Sequence, residues 1–146
     1  LKMSLKKEFE DVQYYGYGPK ESYSDRYKAM HLSRFNSTVT DEYENYVNPR
    51  ECGAHYKTKY AEVCNPDGMK LCFWDKSDEG FSFKAIHFSD VQMDTVKHHD
   101  ELISLDETIV NIDYKYHAEN QGLSYLEPER AFTEKHFCFS YIIKPL

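Results

Sequence analysis

Acidic side chains and histidines are the residues of this sequence whose types suit acid–base or metal chemistry, 25 and 7 of them respectively. Two carboxylates held near one substrate can act as general acid and general base. The acids here are spread along the chain without a distinctive spacing, so their abundance identifies no catalytic pair. We expect those in polar stretches to be solvated surface side chains, namely Glu42, Glu44, Glu79 and Glu107.

A second candidate is the run at residues 98–101, His-His-Asp-Glu, which crowds two imidazoles and two carboxylates together. Neighbouring residues of an extended chain point to opposite faces, so His98 and His99 are poorly placed to grip one ion. We therefore expect a loop whose histidine rings make structural hydrogen bonds, and no metal site.

Glycine and serine motifs give no further chemistry. Residues 16–19, Gly-Tyr-Gly-Pro, lack the third glycine and the following helix of a phosphate-binding loop. No set of Ser, His and Asp stands in a nucleophile elbow. The residues by themselves predict no active site.

The cysteines, Cys52, Cys64, Cys72 and Cys138, form no Cys-x-x-Cys pair and have no matching histidine spacing for zinc. We expect four reduced, partly buried thiols. Cys64 and Cys72 flank an Asn-Pro-Asp-Gly turn, so a disulfide across a hairpin is the alternative that spacing leaves open.

Composition indicates one folded domain: the chain has 146 residues, 40% hydrophobic and 16% aromatic. Its 18 basic against 25 acidic side chains give a net charge of −7, and scattered Lys and Arg are a poor basis for binding nucleic acid. No run approaches the roughly 18 apolar residues that a membrane helix needs. The 13 Tyr and 9 Phe favour strands.

Hydrophobic periodicity predicts strands through most of the chain, with residues 20–26 as a shaped loop and 27–35 as a helical turn or an irregular strand. The predicted strands are residues 1–5, 12–17, 55–63, 69–74, 81–88, 108–116 and 136–143. Residues 55–63 and 69–74 should pair as a hairpin across Pro-Asp-Gly. The alternation in 81–88 changes face near its end, which either a bulge or a change of buried face would explain.

The one predicted helix starts at Ser89, whose Ser-x-x-Gln spacing forms a capping box, with an apolar face from Val91 and either Met93 or Val96. No repeat or linker divides the chain. The predicted class is all-β, an antiparallel β-sandwich with one or two short helices. Such a sandwich with aromatic and polar loops suits either stacking on sugar rings or docking onto another domain, and composition does not choose between them.

Five segments taken in order carry a resemblance to a known family. Residues 15–26 resemble the Gly-x-Gly-Pro-x-Glu-Asn-Tyr-x-Asp-Arg segment in the C-terminal domain of glycoside hydrolase family 2 β-galactosidases. Residues 46–53 are similar to that domain's Tyr-Val-x-Pro-x-Glu-Asn-Gly, with Cys52 where the family usually has Asn. Residues 81–89, 98–102 and 111–114 complete the series, which runs almost from end to end.

This resemblance implies a galactose-mutarotase-like supersandwich of the small-chain type. The family's domain is longer than this chain, so residues 1–146 are expected to form a single domain, the C-terminal portion of the last domain of a larger β-galactosidase. The family's acid/base and nucleophile glutamates lie in a separate central barrel. This fragment is therefore expected to be inactive alone, while the parent would be a retaining glycosidase.

The resemblance also implies cofactors and partners. The parent family often uses Mg and Na at sites outside this domain, so no cofactor is expected in this fragment. The expected partners are the catalytic barrel and other domains of the parent chain, together with a galactoside sugar. The cytoplasm and the periplasm both remain open as the compartment. Uncovered sheet edges predict self-association of the isolated fragment.

For the sugar contact, the family uses one aromatic residue from the loop after its Asn-x-Asp strand, in a Gly-Asp-Asp-Ser-Trp segment. Alignment from Asn111 and Asp113 puts Ser124 and Tyr125 on the Ser-Trp pair, and a phenol can stack on a pyranose face. Residues 118–123 read Ala-Glu-Asn-Gln-Gly-Leu, without the family's glycine and aspartate pattern. Ser124 and Tyr125 are the predicted substrate-binding residues.

The other matched residues are predicted to brace loops. Asp25 and Arg26 should form a charge-assisted pair that steadies the loop after residue 18. Glu21 and Glu51 should cap backbone amides or face the barrel, and His98 and His99 should be loop scaffolding. Two rival functions stay open: a stand-alone carbohydrate-binding sandwich, and an interdomain or oligomer scaffold.

Overall fold

The computed structural model describes residues 1–116 and 135–146, whose regular secondary structure is almost entirely β-strand. The strands are β1 (Lys2–Lys6), β2 (Asp11–Gly18), β3 (His31–Thr38), β4 (Ala54–Thr58), β5 (Tyr60–Cys64), β6 (Lys70–Asp75), β7 (Phe81–Ile86), β8 (Glu107–Asp113) and β9 (Tyr141–Pro145). One α-helix, α1 (Asp90–Thr95), and two 3₁₀ turns (Tyr27–Ala29 and His99–Glu101) accompany them. None of the helices in these two ranges is long and apolar enough to cross a membrane.

The strands form two antiparallel sheets, one of four strands in the order β1-β8-β7-β4 and one of five in the order β3-β2-β5-β6-β9. The main core lies between them. Its buried side chains are Val12, Tyr14, Val39, Ala61, Val63, Phe73, Phe81, Phe83, Ala85, Val110 and Ile112. The prediction of an all-β antiparallel sandwich with one or two short helices is confirmed.

Strand β7 is buried along its whole length, because one of its faces meets the main core and the other is also covered. Ile86 joins a second cluster with Cys52 and Met93. A strand buried on both faces need not alternate. Of the two expected explanations the bulge is therefore wrong, since β7 pairs with β8 in unbroken register, and burial of the second face accounts for the pattern. The irregular pairing lies instead in β4, between His55 and Thr58.

The predicted strand over 55–63 divides into two. β4 belongs to the four-stranded sheet and β5 to the five-stranded sheet, so the chain crosses between sheets at Lys59. The hairpin of β5 with β6 is confirmed, with Val63 opposite Leu71. The last strand begins at Tyr141 rather than near residue 136.

The helix begins as predicted. Ser89 accepts a hydrogen bond from the N–H of Gln92, and the Gln92 side chain accepts one from the N–H of Ser89, which completes the capping box. Met93 is buried, whereas Val91 is 74% exposed, so only one of the expected apolar contacts is made.

The cysteines are all free thiols. In the β5–β6 hairpin Cys64 lies opposite Lys70 and Cys72 lies opposite Glu62, so the two cysteines are not cross-strand partners. Burial raises the pKa of the Cys52 thiol to about 12 and also raises that of Cys72.

We expect a disulfide-exchange reagent at about pH 8 to label Cys138 first, because this thiol is exposed and thiolate fraction and access control the rate. Cys52 and Cys72 should react only after unfolding. The chromophore that the reagent releases measures the rate of each labelling phase, and Cys138→Ser should remove the fast phase. Rapid labelling of Cys52 in the folded chain would contradict this expectation.

Acid should destabilise the fold through carboxyl groups that are hydrogen-bonded when folded. Burial raises the pKa of Asp75, but hydrogen bonds from Lys59 and Ser77 outweigh it and hold the pKa below 3.8. Burial also raises the pKa values of Glu10, Glu62 and Asp90, but hydrogen bonds and nearby positive charges outweigh it and leave these pKa values lowered as well. The unfolded chain then binds more protons, so this stabilisation is complete above the ordinary values of 4.5 and 3.8 and is lost as pH falls through the lowered ones.

The urea concentration at the unfolding midpoint should therefore decrease as the pH is lowered through the pKa values of these carboxyl groups. Asp75→Asn should make the fall shallower, whereas Asp67→Asn, in the exposed turn after β5, should leave its slope unchanged. An unchanged slope in Asp75→Asn would contradict the assignment.

Candidate functional site

Three segments far apart in sequence meet at one place: the loop after β2, the segment before β4, and the chain just after β8. Hydrogen bonds join the first two through Glu21 and Gly53 and the first and third through Ser24 and Tyr116. These segments carry the motifs at residues 15–26, 46–53 and 111–114. Their contacts form two connected clusters, described below as the Glu21 network and the Lys84 network.

The Glu21 network consists of Glu21, Tyr23, Arg26, Tyr46 and the backbone N–H of Gly53. The Glu21 side chain is 7% exposed. One carboxylate oxygen accepts from Arg26 Nη2 at 2.6 Å and from the Tyr46 hydroxyl. The other accepts from the Tyr23 hydroxyl at 3.0 Å and from Gly53 N at 2.9 Å. One side chain thus fixes the loop after β2 to the segment before β4.

Two further contacts tighten this network. The Arg26 guanidinium lies over the Tyr23 ring, 4.6 Å from its centroid, which adds a cation–π contact to the ion pair. Burial, and then the hydrogen bond to Glu21, raise the pKa of Tyr46 to about 12. The Tyr46 hydroxyl therefore remains a donor to the carboxylate throughout the physiological range.

The Lys84 network consists of Lys84, Glu51, Asp90 and Tyr116. Lys84 is 1% exposed, and its Nζ lies 3.0 Å from Glu51 Oε1 and 3.3 Å from Asp90 Oδ1. The ammonium group also faces the ring of Tyr116, 5.2 Å from its centroid. Burial raises the pKa of Asp90, but the hydrogen bond from Lys2 and the charge of Lys84 outweigh it, so the pKa is lowered. A buried cation therefore ties β7 to the segment before β4 and to α1.

Tyr116 is the last described residue before the segment that carries Ser124 and Tyr125. Its hydroxyl donates to Asp113, and its carbonyl accepts from both N and Oγ of Ser24, at 3.1 and 3.0 Å. Burial, and then the hydrogen bond to Asp113, raise the pKa of Tyr116. The chain is thus fixed at the point where it leaves β8.

An open cleft of about 560 Å³ lies beside this point. The Tyr114 and Phe137 rings that line it stack with centroids 4.9 Å apart and planes 3° apart. Asn111, which also lines it, has a buried Oδ1 without a hydrogen-bond partner among the described residues. Lys2, Asp90 and Asp113 contribute charged groups to the lining. Aromatic faces with a few polar groups are typical of sites for polyhydroxylated ligands.

The predicted substrate-binding residues, Ser124 and Tyr125, lie outside the described residues. Among the predicted bracing residues, Glu21 and Arg26 bond each other, and Asp25 lies in the same turn at 24–26. Glu51 reaches Lys84. The two networks therefore contain three of the six residues predicted to brace loops, and Asp25 adjoins them.

His98 and His99, the remaining two, are exposed and lie at the start of the second 3₁₀ turn. They belong to neither network. Within residues 1–116 and 135–146 no group of three or more His, Cys, Asp or Glu side chains is placed to hold a metal ion.

Sequence reasoning missed several residues of the site, Ser22, Tyr46, Lys84 and Tyr116 among them. Lys84 gave a usable signal, because it interrupts a strand that is otherwise apolar or small and so had to be buried with a partner. Ser22 gave none. Its hydroxyl bonds Tyr17 O and Tyr56 N, partners that local sequence does not indicate.

Glu42 corrects another expectation. It was predicted to be solvated, but its side chain is 5% exposed and its carboxylate accepts from His55 Nε2, which is fully buried. The His55 ring stacks on Tyr14 at 3.9 Å between centroids. The pair lies in the fold beneath the loop after β2, and burial there follows from a partner 13 residues away.

The chemical role of these groups is to hold the three segments together and to orient them. The Glu21 and Glu51 carboxylates are engaged by donors from other segments, and the Asp113 carboxylate accepts from the Tyr116 hydroxyl three residues further on. Such an arrangement fixes Tyr116, the residue at which the described chain leaves β8.

Comparison with known proteins gives a consistent result. A family model described as beta galactosidase small chain matches residues 1–140. The chain is 36% identical over 146 residues to a β-galactosidase of Staphylococcus xylosus, covering 99% of this chain and 14% of that protein. It is 32% identical over 114 residues to one of Streptococcus thermophilus and 30% identical over 115 to one of Actinobacillus pleuropneumoniae. Each of these two matches spans 11% of the relative's length.

Proposed function

The chain belongs to the beta galactosidase small chain family, and on that premise we propose that it is a noncatalytic domain of a retaining family 2 β-galactosidase. In this role it supports the catalytic barrel and lends the segment after Tyr116 to the sugar pocket. We further propose the galactose-mutarotase-like fold, with residues 1–146 as the C-terminal portion of the last domain. Mg and Na, where the parent uses them, would bind outside this domain.

The observation that carries the proposal is the joining of three separate motif segments by the Glu21 and Lys84 networks. A domain with its own active site would hold carboxylates ready to act on a substrate. Here Glu21 and Glu51 are occupied by Tyr, Arg, Lys and backbone donors, and the result is a fixed departure point at Tyr116. This supports a positioning role, with Tyr125 as the aromatic contact to the galactoside.

A chimera tests the proposal. The region of the Staphylococcus xylosus β-galactosidase that matches this chain is replaced by it, and hydrolysis of a chromogenic galactoside is measured beside a variant that lacks the region. We expect the chimera to hydrolyse the substrate and the deletion variant not to. A folded chimera without activity would contradict the supporting role.

Within the active chimera, Tyr125→Ala should raise KM about tenfold because a stacking face is lost, and Tyr125→Phe should restore it. Tyr27→Ala serves as the matched control, since Tyr27 packs on Tyr17 and Tyr56 and belongs to neither network. Equal KM values in Tyr125→Ala and the control would remove the sugar contact from the proposal.

We also infer that the isolated chain self-associates through β9. This edge strand leaves Ile142, Ile143 and the following Leu146 at least 40% exposed. An apolar edge invites pairing with a second strand. Light scattering should give a dimer or larger species that Ile143→Lys reduces, and a monomer at high concentration would contradict the inference.

A further inference from the structure

A row of five side chains crosses the outer face of the five-stranded sheet from edge to edge. Arg34 pairs with Tyr15, Tyr15 with Tyr60, Tyr60 with Trp74, and Trp74 with Ile142 in the strand register. Their chain neighbours Tyr14, Phe35, Ala61, Phe73 and Tyr141 pack in or against the core. Because side chains alternate along a strand, this outer row points away from the core.

The three rings at the centre of the outer row are held in place. Tyr60 and Trp74 have ring centroids 5.3 Å apart with planes inclined at 47°. The Tyr60 hydroxyl donates to the Glu62 carboxylate, which lies on the same strand and is itself paired with Lys70 at 2.7 Å. Tyr15 extends the row on the next strand and is 36% exposed. The sheet therefore presents an ordered aromatic strip.

Polar side chains border this strip. Gln13 and Asn36 are cross-strand partners beside Tyr15, and both are exposed. The one nearby carboxylate of the adjoining row, Glu62, is neutralised by Lys70, and the cations Arg34 and Lys144 stand on the two edge strands. The middle of the strip thus offers ring faces and uncharged hydrogen-bonding groups.

These features fit a neutral polyhydroxylated chain better than a protein partner. A protein interface has an apolar centre surrounded by a polar rim, whereas this strip has polar groups directly beside it on one side and the Tyr17–Leu32 pair of β2 and β3 on the other. Sugar rings stack on aromatic faces while their hydroxyls bond neighbouring side chains. A β-1,4-linked glucan is extended because both glycosidic bonds of each ring are equatorial, so successive rings can follow successive strands, which lie about 4.8 Å apart.

We propose that the outer row binds a β-linked neutral oligosaccharide along the five-stranded sheet. None of its residues belongs to the Glu21 or Lys84 networks. It goes beyond the proposed function and does not depend on it.

The sole tryptophan of the chain, Trp74, provides a direct test. The whole chain is titrated with cellotetraose, the β-1,4-linked glucose tetramer, while tryptophan emission is recorded. We expect a saturable change in emission. Tyr15→Ala should weaken binding about tenfold, because an exposed ring is lost without disturbing the core, and Tyr15→Phe should restore it.

Controls separate this site from others. Tyr27→Ala should leave the titration unchanged, and an α-linked glucose tetramer should bind more weakly. Tyr125→Ala should also leave the Trp74 signal unchanged, so a failure here is distinct from a failure of the contact proposed for Tyr125. No saturable change at millimolar sugar, or the same affinity in Tyr15→Ala, would overturn the proposal. So would self-association that Tyr15→Ala abolishes, since a second copy would then cover the strip.

Discussion

Glu21→Ala is expected to lower the free energy of unfolding by about 3 to 5 kcal/mol, since its loss leaves buried donors unpaired at about 1 to 3 kcal/mol each. The Gly53 N–H loses its acceptor, the Tyr23 hydroxyl keeps only the longer contact to Glu51 O at 3.4 Å, and Arg26 loses its ion-pair partner. Urea denaturation followed by circular dichroism measures the change. Glu21→Gln should cost less, because the amide keeps one accepting oxygen.

The control is Glu79→Ala, an exposed carboxylate that should change stability by no more than about 0.5 kcal/mol. A measurement of KM distinguishes a role of Glu21 in positioning the loop from a role in stability alone. In the chimera, Glu21→Gln should raise KM for the galactoside under conditions where the protein remains fully folded, because the loop after β2 would no longer fix Ser24 and Tyr116. A loss of stability of less than 1 kcal/mol in Glu21→Ala would contradict the central place of this residue.

The second large effect is expected at the Glu42–His55 pair. Both side chains are almost fully buried, and removing one partner of such a pair typically costs about 3 to 5 kcal/mol because the other polar group is left buried alone. Glu42→Met should therefore destabilise the fold by about that amount, and His55→Phe by a similar amount. Urea midpoints give the values.

The double variant Glu42→Met/His55→Phe distinguishes a buried polar pair from plain packing. Two apolar side chains leave no unpaired polar group, so the double variant should be more stable than either single variant, by about 1 kcal/mol or more. Strictly additive losses would mean that the pair is not coupled. Glu107→Met, at an exposed residue, is the matched control for introducing methionine.

Much of the fold was predictable because its signals are local. The capping box at Ser89 and the turn between β5 and β6 each depend on residues within about five positions, so the sequence alone identified them. Strand boundaries were less certain. Lys59, where the chain changes sheets, and Tyr141, where β9 begins, carry no local mark that distinguishes them from their neighbours.

The candidate site was predictable only in part. Matched motifs indicated Glu21, Arg26 and Glu51, but their partners lay elsewhere: the pair expected for Arg26 was Asp25, and the structure gives it Glu21. Lys84 and Glu51 are 33 residues apart, and Ser24 and Tyr116 are 92 apart. No periodicity connects residues at such separations, since only the packing of the sheets brings them together.

The sequence by itself determined that the chain is a single acidic, Tyr-rich β-sandwich without an evident catalytic pair, and its ordered motifs indicated the family. Composition, period-two alternation and capping depend on single residues or near neighbours, so they can be recognised in the amino-acid sequence. The tertiary structure decided which acids are buried, where Glu42 finds His55, how two networks fix Tyr116, and that Tyr15, Tyr60 and Trp74 share one row. Those facts depend on strand register and sheet packing, which long-range contacts set.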